Sequence, residues 1–400
     1  VEARDERLAG SRAGGRTQFR ILIRSTSNSF VVAAQDQDGA TTATFPCKSC
    51  GASLKYKPGT AHLVCEYCGA MNDINPPAAP IEEEDYESVL ANAATGTDQL
   101  TITAVKCQTC GATSSIDPKI ASSLCPYCTS PLITANAVDE KMIRPKSLLP
   151  FLLDETKAKS EFQKWIDKLW FAPSALTKAV LQADRFKGVY IPFWTYDSQT
   201  QSQYVGEQGI YYYTEEQYTE TDSKGNSVNR TRQVRHTRWY PVAGQVDFFF
   251  DDILICASRS LPVNYVNKLE PWDLDHLTPF DEKYLSGFIC EKYQVDLREG
   301  FELAKKEMAN VLTTKVRQSI GGDDQRVISI DTAYSGITFK HLLLPVYVSA
   351  YSFKGKVFHF LVNARTGEVQ GERPWSAGKI ALAVIGGLLV AFVLYWIFKK

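Results

Sequence analysis

Eight of the ten cysteines in this 400-residue chain fall into four Cys-x-x-Cys pairs. Cys47 and Cys50 (C-K-S-C-G) are followed, after fourteen residues, by Cys65 and Cys68 (C-E-Y-C-G). Cys107 and Cys110 (C-Q-T-C-G) are followed at the same interval by Cys125 and Cys128 (C-P-Y-C). A Cys-x-x-Cys turn presents two thiolates from one tight loop, and a glycine behind it relieves the backbone. Two such turns supply the four ligands of a tetrahedral metal site. The spacing predicts two four-cysteine zinc ribbons, each holding one structural Zn2+. An iron–sulfur cluster draws on the same ligands. A disulfide framework or a redox dithiol fits poorly with a chain that shows no secretory signal.

Four thiolates complete the coordination sphere and leave no position for an activated water, so the metal is expected to fold the chain rather than hydrolyse a substrate. Units this small bury little core, and a structural zinc supplies on the order of 10–16 kcal/mol. Cys256 and Cys290 stand alone in apolar surroundings and read as buried free thiols.

No other cluster carries a reaction. His62, His236, His276, His341 and His359 sit in no catalytic spacing. Asp273, Asp275 and His276 form D-L-D-H, which reads as a solvated turn. There is no G-x-S-x-G and no H-E-x-x-H. The Gly-Lys pairs, Gly355-Lys356 and Gly378-Lys379, lack the upstream glycine and following Ser or Thr of a phosphate-binding loop. The chain is therefore not expected to be an enzyme.

Charge narrows the partners. The formal net charge is −1. Lys48, Lys55 and Lys57 stand against Glu66 in the first ribbon, and Lys106 and Lys119 against Asp117 in the second. Neither is the basic surface that nucleic-acid affinity requires. Cytoplasmic or membrane proteins are the expected partners, ahead of nucleic acid.

The elements that position the cysteines follow from pattern. Shifting the sequence by 60 residues superposes the two ribbons with nine of 22 positions identical, including Pro58 with Pro118 and Tyr67 with Tyr127. Each fourteen-residue spacer fits a strand, a turn at Pro58 or Pro118, and a return strand. The ribbons span 45–72 and 105–132, with an acidic, proline-rich linker over 73–104. Before them, residues 1–44 read as a disordered arm whose six arginines within the first 24 residues are offset by Glu2, Asp5 and Glu6.

A mixed α+β domain is expected over 147–373. Asp154 suits the cap of a helix bearing Ala158, Phe162, Trp165, Ile166 and Leu169 on one face. Strands are predicted over 189–196 and 247–257, and a long β-hairpin over 203–242 with its turn near Gly225. That turn sets Glu220 opposite Arg230 and Glu215 opposite Arg235, favourable by a few tenths to about 1 kcal/mol each. Leu297, Phe301, Ala304, Met308, Val311 and Leu312 mark an amphipathic helix. Residues 342–353, 357–363 and 368–371 read as a meander with turns at Lys354-Gly355 and 365–367.

Residues 380–398 form an uncharged apolar run. As a helix it spans roughly 28 Å, close to the hydrocarbon thickness of a bilayer. Lys379 precedes it, Lys399 and Lys400 follow, and Tyr395 and Trp396 sit where aromatic residues favour the interface. This predicts one C-terminal transmembrane helix in the cell membrane, with the bulk of the chain cytoplasmic. Arg365, Arg373 and Lys379 support that orientation. Ala383, Gly387 and Ala391, four apart, suit helix-on-helix packing and homo-oligomerisation.

These features resemble the tandem zinc-ribbon membrane proteins of bacteria. The resemblance rests on the doubled ribbon, on R-F-K-G-V-Y-I-P-F-W-T-Y-D (185–197), on L-L-L-P-V-Y-V-S-A-Y, and on V-N-A-R-T-G-E-V-Q-G-E-R-P ahead of the anchor. Members are often labelled primosomal protein N-prime (replication factor Y) or superfamily II helicase. Some are associated with stomatin-like (SPFH) and phage-shock proteins. The resemblance implies a membrane-anchored adaptor or scaffold in membrane-stress or SPFH-type assemblies. Its alternative is a nucleic-acid-binding, helicase-associated protein without an ATPase motor, since no phosphate-binding loop is present.

Overall fold

The computed structural model describes residues 45–76, 80–92, 99–115, 122–133, 136–169, 186–221, 225–353, 356–372 and 376–399. The expected arm over 1–44, the turns at Pro118 and Lys354-Gly355, and Arg373 lie outside the described residues.

The first described elements form a three-stranded antiparallel sheet, β1 (Leu54–Tyr56), β2 (His62–Cys65) and β3 (Met71–Asp73). A short strand, β4 (Glu84–Asp85), leads into helix α1 (Tyr86–Asn92). The second cysteine unit is built on β5 (Gln99–Lys106), β6 (Thr113–Ser115), β7 (Ser122–Leu124), β8 (Pro131–Ile133) and β9 (Val138–Ile143). Next come β10 (Ser147–Leu148) and α2 (Glu155–Asp167), where the Asp154 side chain accepts from the Lys157 amide as the cap pattern predicts.

Two very long strands follow, β11 (Phe186–Thr221) and β12 (Ser227–Cys256). They form the expected hairpin, but its register differs by two residues from the charge-matched one. Glu220 lies opposite Val228, and Glu216 opposite Arg232. The Glu220–Arg230 ion pair survives as a diagonal contact at 2.9 Å, whereas Arg235 stacks on Tyr211, 4.4 Å from the ring centroid. Exposed ion pairs contribute at most about 1 kcal/mol, too little to set the register of strands already paired over the length of the sheet.

Helical turn α3 (Val263–Val266) precedes the short strands β13 (Thr278–Pro279) and β14 (Ile289–Cys290). Helix α4 (Leu297–Ile320) is the expected amphipathic helix, capped by Asp296. Leu297, Phe301, Ala304, Met308, Leu312, Val316 and Ile320 are buried; Val311, counted with that face from sequence, is 39% exposed. The meander is β15 (Asp324–Phe353), β16 (Lys356–Asn363) and β17 (Val369–Gly371), paired antiparallel in that order. Helix α5 (Ala377–Phe398) ends the described chain.

The main sheet runs β12-β11-β15-β10-β13, with β14 beside β11, β16 beside β15, and β4 on the β15 edge. Alternation along β11 sends side chains to two cores. Phe186 and Tyr190 meet α2 and the first cysteine unit; Val189, Ile191 and Phe193 meet the second unit and the segment around α3. Each unit thus covers its own face of one sheet. Further along, Trp194 and Tyr196 pack under α4. Their Nε1–H and O–H donate to the Val295 and Leu297 carbonyls at 2.9 and 2.7 Å and hold the helix start in place.

Residues 73–104 are more than the connector read from their proline and acid. Ile74, Tyr86, Leu100, Ile102 and Ala104 are buried. Glu83 accepts from Lys340 at 3.0 Å, and Glu84 pairs with Lys146 at 3.1 Å. The acidic residues that suggested a solvated linker are partners for sheet lysines.

β15 accompanies β11 as far as the pair Gly209–Asp324, so among the described residues β11 is paired with β12 alone from Ile210 to Thr221. From Phe186 to Thr221 the strand covers roughly 115 Å at about 3.3 Å per residue. β17 is level with the start of β11, through Ser349, Phe360 and Gly371. The Thr221–Ser227 pair and Gly371 of β17 therefore occupy opposite ends of the sheet.

Candidate metal centres

All eight predicted cysteines converge, four and four. Sγ atoms of Cys47, Cys50, Cys65 and Cys68 lie within 4.8 Å of one another, and so do those of Cys107, Cys110, Cys125 and Cys128. Sulfur–sulfur separations are 3.6 Å for Cys47–Cys68, 3.5 Å for Cys50–Cys65, 3.5 Å for Cys107–Cys128 and 3.7 Å for Cys110–Cys125. A tetrahedral ion with metal–sulfur bonds near 2.3 Å spaces its sulfurs about 3.8 Å apart. A disulfide requires about 2.05 Å. The sulfurs are spaced as the ligands of one ion would be and are not bonded to each other, which fits two structural metal sites.

The loops explain the arrangement. In each, the first cysteine's carbonyl accepts from the residue four on, and its amide donates to the carbonyl five on. Gly51 N–H to Cys47 is 2.9 Å and Cys47 N–H to Ala52 is 2.7 Å; the loops at Cys65, Cys107 and Cys125 repeat the pattern. The fifth position is left-handed in all four, with φ of 75° at Gly51, 73° at Gly69, 79° at Gly111 and 63° at Thr129. Thr129 takes at a steric cost what glycine adopts freely. Amides point at sulfur: the Ser49 N–H lies 3.4 Å from Cys47 Sγ. With the Cys50 amide it pulls the Cys47 thiol down to about 6. Burial and the nearby Cys110 and Cys128 sulfurs push the Cys125 thiol up instead. Four thiolates this close repel one another unless a cation sits between them.

Both units are fastened to the main sheet. On the first, the Tyr56 amide donates to the Ser286 carbonyl at 3.0 Å and the Ser286 hydroxyl to the Leu54 carbonyl at 2.6 Å. The Tyr56 hydroxyl donates to the Phe151 carbonyl at 3.1 Å, and its ring meets Tyr284 edge-on at 5.0 Å. On the second, the Tyr127 hydroxyl donates to Glu291 at 2.9 Å and the Tyr127 carbonyl accepts from His359 at 2.8 Å. Glu291 is fully buried and also accepts from Ser258 at 2.9 Å and from Ser260. Burial raises its carboxyl to about 7, against the lowering effect of those hydroxyls.

Tyr67 and Tyr127, matched in the repeat, have separated: Tyr127 is 0% exposed and Tyr67 is 84% exposed. The sequence contained no sign of this split, nor of the role of Glu291, which depends on what packs against each loop.

The remaining candidates are structural. Cys256 and Cys290 are buried, and burial raises both thiols to about 12. Asp273 of D-L-D-H is held by Arg365 through Nε, 3.0 Å from each carboxylate oxygen, rather than left to solvent. His276 at the same turn is exposed.

Helix residues Gly378–Phe398 have a mean hydropathy of 2.6 and none of them is buried. The helix is long and apolar enough to cross a membrane.

The chain is 26% identical over 260 residues, 63% of its length and 71% of the relative's, to an uncharacterized protein, YdjG, of Bacillus subtilis (strain 168). No protein-family model matches the chain. No solved structure matches it.

Proposed function

We propose that this chain is a membrane-anchored, zinc-binding adaptor that recruits cytoplasmic protein partners, in membrane-stress or SPFH-type assemblies of the kind its ribbon resemblance implies. In this reading both cysteine units are zinc ribbons, α5 spans the inner membrane, and the rest of the chain is cytoplasmic. The observation that carries the proposal is the closure of both four-sulfur sites. With every ligand position taken by thiolate, the ion is left with a structural task.

Tyr67 supports the choice of protein as partner. It projects from the Cys65–Cys68 loop beside the Lys55–Glu66 ion pair, and tyrosine on a rigid loop is a frequent interface anchor. Its counterpart Tyr127 is spent on the core, so the first ribbon recruits and the second braces the sheet. The rival reading, a helicase-associated nucleic-acid binder, would look to the hairpin. There Arg232, Arg235 and Arg238 lie over Tyr218, Tyr211 and Tyr212 at 5.5, 4.4 and 5.2 Å. Those ring faces are the ones stacked bases would need.

Proximity labelling from the full chain in native membranes tests the proposal, comparing wild type with Tyr67→Ala and Cys47→Ser. Metal analysis of the purified chain accompanies it. The expected result is two zinc ions per wild-type chain and per Tyr67→Ala chain, with a shared set of protein neighbours lost from both variants. An unchanged neighbour set in Tyr67→Ala refutes recruitment by the first ribbon. DNA or RNA that stays bound through moderate salt, and is lost when Arg232, Arg235 and Arg238 are replaced by alanine, supports the rival instead.

A further inference from the structure

β12 is an edge strand: among the described residues it pairs with β11 alone. β12 is bulged at Asp251–Asp252, opposite Asp197, with a φ of 52° at Asp252; past that bulge, from Ile253 to Cys256, no described strand covers the edge. It forms the floor of a cleft of about 760 Å³. The walls come from opposite faces of the sheet. Leu303, Lys306 and Glu307 of α4 form one wall; Val263, Trp272 and Leu274 of the segment around α3 form the other. The cleft is a slot between two layers, in the plane where the next strand of the sheet would lie.

Among the described residues the backbone in this slot is left without partners in a regular way. The Ala257 amide donates to the Pro192 carbonyl at 2.9 Å, which makes 192–257 a hydrogen-bonded pair. Antiparallel pairs alternate, so 194–255 is bonded to β11 while 193–256 and 195–254 are not. The amide and carbonyl of Leu254 and Cys256 therefore point outward into the slot. Edges of this kind are normally blunted or capped because they accept further strands. On the β11 side Pro192 has no N–H to return to Ala257, and the Ala257 carbonyl accepts from the Gln294 and Val295 amides instead, at 2.8 and 3.1 Å.

Charge specifies the occupant further. Glu270 and Glu307 both line the cleft, with Lys306 as their counterweight; Asp252 at its end is already paired with Lys340 at 2.7 Å. Glu270 has its carboxyl raised by burial and then by Glu307, so the two acids repel each other across the walls. Val263, 53% exposed, offers apolar contact at the mouth.

We infer that the outer edge of β12 at Leu254 and Cys256 is a β-augmentation site that takes an extended segment of a partner protein, with alternating apolar side chains and a basic residue between Glu270 and Glu307. Main-chain hydrogen bonds supply affinity in this binding mode, and side-chain pockets supply selectivity. The site is separate from Tyr67 and does not depend on the ribbons for recognition.

The test uses the full chain in detergent micelles and a displayed library of seven-residue peptides with alternating valine or isoleucine and a variable central position. The expected result is enrichment of arginine or lysine at the centre. The enriched peptide, made synthetically, should bind at least tenfold more tightly than its central-glutamate version. That preference should invert in Glu270→Lys/Glu307→Lys. Leu254→Pro, which removes an outward N–H that β11 does not use, should weaken binding at least tenfold. Hydrogen exchange with the peptide bound should slow at the Leu254 and Cys256 amides. No enrichment, equal binding of both peptides, or exchange at those amides unchanged by bound peptide overturns the proposal. Dimerisation of the chain that the peptide competes away also overturns it, by assigning the edge to a second copy.

Discussion

Glu291 allows a prediction whose size can be worked out. It joins the second cysteine unit to the main sheet through Tyr127, Ser258 and Ser260, and it is fully buried. Burial moves its carboxyl from 4.5 to about 7. The folded state therefore holds a proton that the unfolded chain has already released. Below pH 4.5 both states are protonated and the stability is intact. As pH rises toward 7 the unfolded chain ionises first and stability is lost. At 1.36 kcal/mol per unit, the full loss is about 3 kcal/mol. About 2 kcal/mol of it falls between pH 5.5 and 8. Glu291→Gln keeps the shape and removes the titration, at a constant cost of about 1–3 kcal/mol for one mismatched hydrogen bond. Chemical denaturation of the full chain in micelles, wild type against Glu291→Gln, reads the difference. The wild-type advantage should shrink by about 2 kcal/mol from pH 5.5 to 8. Parallel profiles would show that Glu291 does not change its proton there, and the reasoning from burial would fail.

Two further outcomes follow from the same packing. Because each metal unit covers one face of a shared sheet, chelation should lower the midpoint of the whole domain's unfolding and should not leave a separate, fully stable α+β core; far-UV circular dichroism with and without chelator reads this. Gly300→Ala should destabilise by about 1–3 kcal/mol, although alanine in a helix interior normally gains about 1 kcal/mol over glycine. A Cβ at Gly300 would lie 2.3 Å from the Tyr196 hydroxyl and 2.9 Å from Trp194, and denaturant midpoints settle the sign.

The metal loops were legible because each is local. A Cys-x-x-Cys-Gly turn closes on its own backbone, so five residues contain their own geometry; the Asp154 cap and the α4 periodicity were legible for the same reason. The hairpin was legible as a hairpin but not in its register. Glu215, Glu220, Arg230 and Arg235 suggested a pairing that weak exposed charges cannot enforce against the long β11–β12 ladder. The acid-rich stretch over 73–104 misled because Glu83 and Glu84 find Lys340 and Lys146 on other elements, far away in sequence.

By itself, the sequence determined that eight cysteines form two four-sulfur sites and that one apolar segment is long enough for a bilayer, because ligand spacing and helix length are properties of short stretches of chain. The tertiary structure alone decided that the two units pack on opposite faces of a single sheet. It also decided that Tyr127 is buried on Glu291 while Tyr67 stands in solvent, and that the β12 edge faces a cleft between two layers. Those outcomes depend on which surfaces meet after the strands pair. Two copies of one repeat unit, alike in sequence, acquire different roles from the faces they cover.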